Sequence, residues 1–292
     1  ELQGIMGGHF AEAQGFEKEV CQSISEHYLP SGLHSKVPKN LYSITLSLSD
    51  KLDTLVGFFG IDLIPTGSRD PYALRRYTIA LVRLIVENKI RIKLRSIINY
   101  SLTLYKEQGY EFDITKVLKE LNNFILDRLK NYSKEKGIRS DIIESSILSN
   151  DIDELYNGYK KAEVLHRNIG KEIVRDVVGI YKRSSNILNN EIIKNKLELS
   201  NSVDTGLFKN DFEKNLYKKI QDTKKYFVNL GKNDNFEECL NELFKFKQDV
   251  NSFFDNVKVN DENELIKKNR LELLNLLCKN FDNFFNFSKI EG

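Results

Sequence analysis

The stretch YALRRYTIALVRLIVEN, residues 72–88, decides the fold class. Leu74, Ile79, Leu81, Val82 and Ile85 recur at mixed spacings of three and four, the period of one helix face, while Arg75, Arg76 and Arg83 fall elsewhere on the wheel. The same period runs through FDITKVLKELNNFILDRLKNY, residues 112–132, at Ile114, Leu118, Leu121, Ile125 and Leu129, with Asp113 placed to cap it. Further helical patterns occupy residues 169–188, 211–230, 235–257 and 264–287. The chain has four prolines, Pro30, Pro38, Pro65 and Pro71, so nothing after Pro71 breaks a helix from within. Strand-like alternation is confined to LYSITLSLS, residues 41–49, which runs into DKLDTLVGFF and reads equally well as helix. The expected fold is all-α.

Turn residues cluster at KEQGYEFD (106–113), KEKGIRSDI (134–142), SNSVDTGLFKND (200–211) and KVNDENE (258–264), where Asp261 or Asn263 is placed to cap the last helix. A length of 292 residues predicts two or three compact units, and 40% hydrophobic against 29% charged residues supplies a core.

The 44 Lys and Arg nearly balance the 42 Asp and Glu, leaving a net charge of +2. No global field draws the molecule onto nucleic acid or an anionic membrane, so any polyanion site is a local patch. Three widely spaced cysteines, Cys21, Cys239 and Cys278, argue against a disulfide framework and fit a reducing cytoplasm. Apolar runs such as LVGFFGI fall far short of the roughly 20 residues that span a bilayer. The opening ELQGIMGGHF, without an initiating Met, is expected of a piece of a longer chain.

The richest segment is SDKLDTLVGFFGIDLIPTGSRDPYALRR, residues 49–76. Its PTGSRDP lacks the GxxxxGK[ST] pattern and cannot cradle a nucleotide's phosphates through successive backbone N–H groups. It reads as a turn shaped by Pro65 and Gly67, with Ser68 or Asp70 capping and Pro71 at the first helical position. Asp50 and Asp53, three apart on one helix face, have the spacing for metal or acid–base work. Yet His9, His27, His34 and His166 supply no His-Asp pair, and carboxylates salt-bridged to Lys51, Arg75 or Arg76 are the plainer expectation. Cys21 lies near His27, but no third group or oxyanion turn completes a nucleophilic site, and a core Cys is expected.

Two later segments have nucleic-acid chemistry. IYKRSSNILNN, residues 180–190, offers Lys182, Arg183 and Asn186 within one turn, cations for phosphate and an amide for a base edge. NSFFDNVKVNDENELIKKNRLELL, residues 251–274, sets Phe253 and Phe254 before a helix start bearing Lys267, Lys268 and Arg270. Adjacent helical positions point about 100° apart, so the two rings serve different roles, one of them in the core. Read alone, the first segment is an ordinary exposed helix face, and core packing is the default for at least one Phe of the second.

Taken in order, ELQGIMGGHFA, ISEHYLP, the whole of residues 49–76, GIRSDII, YKRSSNIL, FFDNVKV and NRLELL resemble the beta-subunit family of two-subunit bacterial glycyl-tRNA synthetases. The resemblance covers essentially the whole chain; His9 departs from it, since an aromatic usually stands there. It implies a partial HD-like helical domain over 1–98, with Asp50 at the last Asp of the HD phosphohydrolase pattern as a structural relic. It further implies a helical linker over 99–172 and a DALR-type anticodon-binding bundle over 173–292. Lys182, Arg183, Asn186, Phe254, Lys268 and Arg270 are then the RNA-facing candidates. Asp50, Asp53, Gly67, Asp70, Pro71, Arg75 and Arg76 form a scaffolding motif.

The family's beta chain binds tRNA-Gly, while the alpha subunit activates glycine with ATP and Mg²⁺ in a cytoplasmic assembly of two alpha and two beta chains. By that resemblance the chain itself holds no catalytic residue, metal or cofactor and meets no membrane. The competing expectations are an active HD-type phosphohydrolase built on Asp50 and a purely architectural helical scaffold.

Overall fold

The computed structural model describes residues 2–147, 152–195, 199–200, 202–230 and 235–291. Their regular secondary structure is helical, without a strand; among these residues the sole β-type pairing is an isolated bridge between Thr66 and Arg69. The helices are α1 (Ile5–Ala13), α2 (Lys18–Glu26), α3 (Leu41–Gly60), α4 (Leu74–Glu87), α5 (Leu94–Glu107), α6 (Ile114–Glu135) and α7 (Ser140–Ser146). They continue as α8 (Leu155–Asn168), α9 (Glu172–Asn195), α10 (Asp211–Leu230), α11 (Phe236–Phe244), α12 (Phe246–Asn256) and α13 (Glu264–Asp282). None is long and apolar enough to cross a membrane among the described residues. Two compact units divide the chain: Glu1–Gly137 with Ser149–Tyr159, and Ile138–Leu148 with Lys160–Gly292.

In the first unit the alternating LYSITLSLS segment is helical, forming the first half of α3. Ser43, Ile44, Ser47, Lys51, Leu52, Leu55, Val56 and Phe59 are buried, a three-and-four spacing that overrides the local alternation. Asn40 caps this helix by accepting the Tyr42 N–H at 2.8 Å. α4 packs against α3 and α6 and is buried at every position from Ala80 to Val86, as a helix apolar nearly all round must be. Arg83, off the apolar face picked out by the sequence, is buried with the rest. Its Nε donates to Glu87 Oε1 at 2.8 Å and Nη1 donates to the Gly32 carbonyl, while Tyr132 donates to the same Glu87 oxygen at 3.3 Å.

α4 also starts later than the sequence predicts. Ala73 adopts the left-handed conformation (φ 56°), so Pro71 lies in the preceding turn and not at the first helical position. Asp70 is the capping group all the same, since its two carboxylate oxygens accept the N–H groups of Leu74 (2.8 Å) and Arg75 (3.0 Å). Gly67, at φ 50°, closes the tight turn in which Arg69 N–H donates to the Thr66 carbonyl at 2.8 Å.

In the second unit α9 packs on α11, α12 and α13, and α10 packs on α11, α12 and α13. The core is aromatic: Phe246 meets Phe281 at 5.5 Å between centroids, Phe281 meets Phe287 at 6.0 Å, and Tyr181 meets Phe287 at 5.8 Å. Burying such a ring contributes roughly 1.5–3 kcal/mol. The residue 235–257 pattern forms two helices, α11 and α12, separated at Lys245. Asn263 caps α13 by accepting from Leu265 and Ile266. Asp113 caps α6 in the same way, accepting from Lys116.

Candidate nucleic-acid interface

The scaffolding motif of the first unit is tied down by hydrogen bonds rather than by the ion pairs its charges suggest. Arg75 Nη2 donates to the Gly67 carbonyl at 2.7 Å, and Asp53 accepts from Ser101 Oγ and Tyr105 OH, each at 3.3 Å. Neither Asp50 nor Asp53 pairs with Arg75 or Arg76 among the described residues; α5 engages Asp53 and the Gly67 turn engages Arg75. Burial, reinforced by the Asp53 carboxylate, pushes the Tyr105 phenol up.

Asp50 instead sits beside Lys51, only 2% exposed, whose ammonium donates to the His27 carbonyl (3.0 Å) and Ser47 Oγ (2.8 Å). Desolvation lowers the Lys51 pKa to about 8, with Asp50 working against the shift. Among the described residues no three His, Cys, Asp or Glu side chains converge on a point where a metal could be held. Cys21 and His27 each engage a backbone carbonyl, Sγ that of Phe16 at 3.4 Å and Nδ1 that of Ile24 at 2.6 Å, so they do not pair with each other.

The second unit brings two of the sequence-predicted residues together. The Arg183 guanidinium lies 4.1 Å from the Phe254 ring centroid, joining α9 to α12 by a cation–π contact. Asn186 and Arg183 are exposed one turn apart on α9, and Lys182 and Phe254 are half-buried. Phe253 is fully buried and meets Phe254 edge-on at 5.5 Å, which settles which ring belongs to the core. Lys268 is exposed on α13. Its neighbour Lys267 is bound to Glu191 at 2.9 Å, and that hydrogen bond raises its pKa.

Arg270 is not an RNA-facing group. Only 5% exposed, it donates through Nε to Glu213 at 2.7 Å and through Nη1 to Asp261 (2.7 Å) and to the Lys258 carbonyl (2.8 Å). Glu213 is completely buried and also accepts the Lys209 and Asn210 N–H groups, so Arg270 is the counter-ion of a buried carboxylate. A charge adjacent to Lys268 in sequence thus points into the molecule, because α13 turns about 100° per residue.

Sequence reasoning missed a groove of about 530 Å³ along α12, lined by Phe244, Lys247, Gln248, Asn251, Ser252 and Asp255. The spacing 248, 251, 252, 255 was legible as one helix face, yet polar residues at that spacing ordinarily mean a solvated surface.

Residues 1–148 match a family model described as the glycyl-tRNA synthetase beta subunit, and residues 178–291 match one described as the DALR anticodon binding domain. The glycine–tRNA ligase beta subunit of Rickettsia typhi is 34% identical over 290 residues, 99% of this chain and 41% of that protein. Its counterpart in Clostridioides difficile is 33% identical over 290 residues, with the same coverages. That of Sulfurihydrogenibium sp. is 35% identical over 292 residues, the whole of this chain and 39% of that protein. The chain spans about two fifths of the length of these curated relatives.

Proposed function

The chain belongs to the glycyl-tRNA synthetase beta-subunit family, and from that premise we propose that it is the tRNA-binding, non-catalytic part of a glycine–tRNA ligase. The supporting observation is the Arg183–Phe254 pair, an arginine spread over an aromatic ring on the surface of a helical bundle that matches an anticodon-binding domain. Such a pair offers a stacking surface for an unstacked base and a cation for the adjoining phosphate. Lys182, Asn186 and Lys268 extend the footprint. Asp50, Asp53, Gly67, Asp70, Pro71, Arg75 and Arg76 act as scaffolding.

In this reading the bundle from about residue 173 discriminates the anticodon of tRNA-Gly, and the HD-like residues 1–98 and linker 99–172 support it. Glycine activation with ATP and Mg²⁺ belongs to the alpha subunit, within a cytoplasmic assembly of two alpha and two beta chains. Titrating the 292-residue chain with tRNA-Gly and with an anticodon-swapped variant tests this. Tighter binding of tRNA-Gly is expected; indifference to the swap moves recognition away from this bundle. Equal retention of unrelated tRNA, unchanged by Arg183→Ala, would leave an architectural role in its place.

A further inference from the structure

We infer that a small cavity in the first unit, where the end of α2 meets α3 and α4, holds one monovalent anion of the size of chloride. Its ligands are Lys51, Arg76, Tyr28, Tyr77 and Ser31. The site lies wholly within the first unit and is independent of RNA binding by the second.

Size limits the ligand to a single atom. The cavity is about 10 Å³, room for one water-sized particle, and chloride is little larger than water. Its floor is buried, formed by Pro30, Lys51 and Ala80, and Tyr28 and Tyr77 stand half-buried as its walls. Ser31 and Arg76 are exposed at its rim, so ions reach it from solvent.

All five polar side chains around the cavity can donate a hydrogen bond. Lys51 has three N–H groups, of which the His27 carbonyl (3.0 Å) and Ser47 Oγ (2.8 Å) take two among the described residues. The third remains for the cavity. The Arg76 guanidinium and the Tyr28, Tyr77 and Ser31 hydroxyls have no hydrogen bond or ion pair among the described residues. Burial, with Asp50 and Tyr28 adding to it, pushes the Tyr77 phenol up and so keeps its proton in place for donation.

Charge decides between water and an ion. Lys51 and Arg76 bring two positive charges to the cavity, and among the described residues Asp50 is the carboxylate whose field reaches Lys51 and Tyr77. One positive charge is left over, beside an ammonium only 2% exposed. A buried charge without a counter-ion is costly, and a neutral water removes none of its charge. A monovalent anion balances the set, whereas phosphate or sulfate exceeds both the room and the charge. Because the ammonium loses its proton near pH 8, the anion is held below that pH and released above it.

The linewidth of the chloride NMR signal in the presence of the 292-residue chain tests the assignment, since a bound halide broadens it. At pH 7 the wild type is expected to broaden the line, bromide to reverse the effect by competition, and pH 10 to reduce it at least tenfold. Lys51→Met is expected to abolish the broadening and Arg76→Gln to weaken it severalfold, while Lys106→Gln, an exposed lysine elsewhere in the unit, leaves it unchanged. Arg76 is exposed, so its variant keeps the test valid should Lys51→Met fail to fold by circular dichroism. A wild-type line no broader than that of a chloride solution without protein overturns the site, as does broadening that Lys51→Met and Arg76→Gln both leave intact. Displacement by inorganic phosphate and not by bromide overturns the single-atom ligand.

Discussion

At the residue scale, two buried cations carry opposite lessons. Arg270 faces a fully buried carboxylate, so Arg270→Ala leaves Glu213 charged without its counter-ion, at a cost of about 3–5 kcal/mol. Thermal or urea unfolding reads that loss directly. Lys51 is buried without an ion pair among the described residues, donating to neutral oxygens, and its pKa falls to about 8 from 10.5. Between those values the unfolded chain binds more protons than the folded one, so stability rises with pH across that window, by roughly 3 kcal/mol from this group. In Lys51→Met that rise should vanish from urea midpoints measured between pH 8 and 10.5. Neither burial was legible, because a one-letter code reports a charge and not the direction in which it points. Arg270 read as RNA-facing beside Lys268 for that reason.

At the element scale most of the architecture was legible. The absence of prolines after Pro71 and the three-and-four spacing pointed to helices, and Asp113 and Asn263 stood ready as caps for α6 and α13. What sequence misjudged was a boundary: the left-handed Ala73 delays α4 and moves Pro71 into the turn, a backbone choice that the residue types do not announce. Close approach between elements was equally hidden. A Cβ added at Gly60 of α3 would lie 2.5 Å from the Phe112 ring, beyond the C-terminus of α5. Gly60→Ala should therefore cost about 1–3 kcal/mol through overpacking, checked by the shift in thermal midpoint. Asn263→Ala, which strips the cap from α13, is expected to cost about 1 kcal/mol in the same assay.

At the scale of the whole molecule, a net charge of +2 leaves the proposed RNA binding to a local patch. Three available cations, Lys182, Arg183 and Lys268, on single-stranded RNA predict a slope of log affinity against log salt near −2. Lys268→Ala should make it shallower by about 0.7. Sequence supplied the residue types of this proposed patch but not the Arg183–Phe254 contact, which joins α9 to α12 in space. The most direct test of the account is the affinity of tRNA-Gly for the wild-type chain against Arg183→Ala with Phe254→Ala. Removing the stacked pair should weaken binding at least tenfold, the lower end of the loss for one stacked base, with the fold intact by circular dichroism. Unchanged affinity in the folded double variant would contradict it.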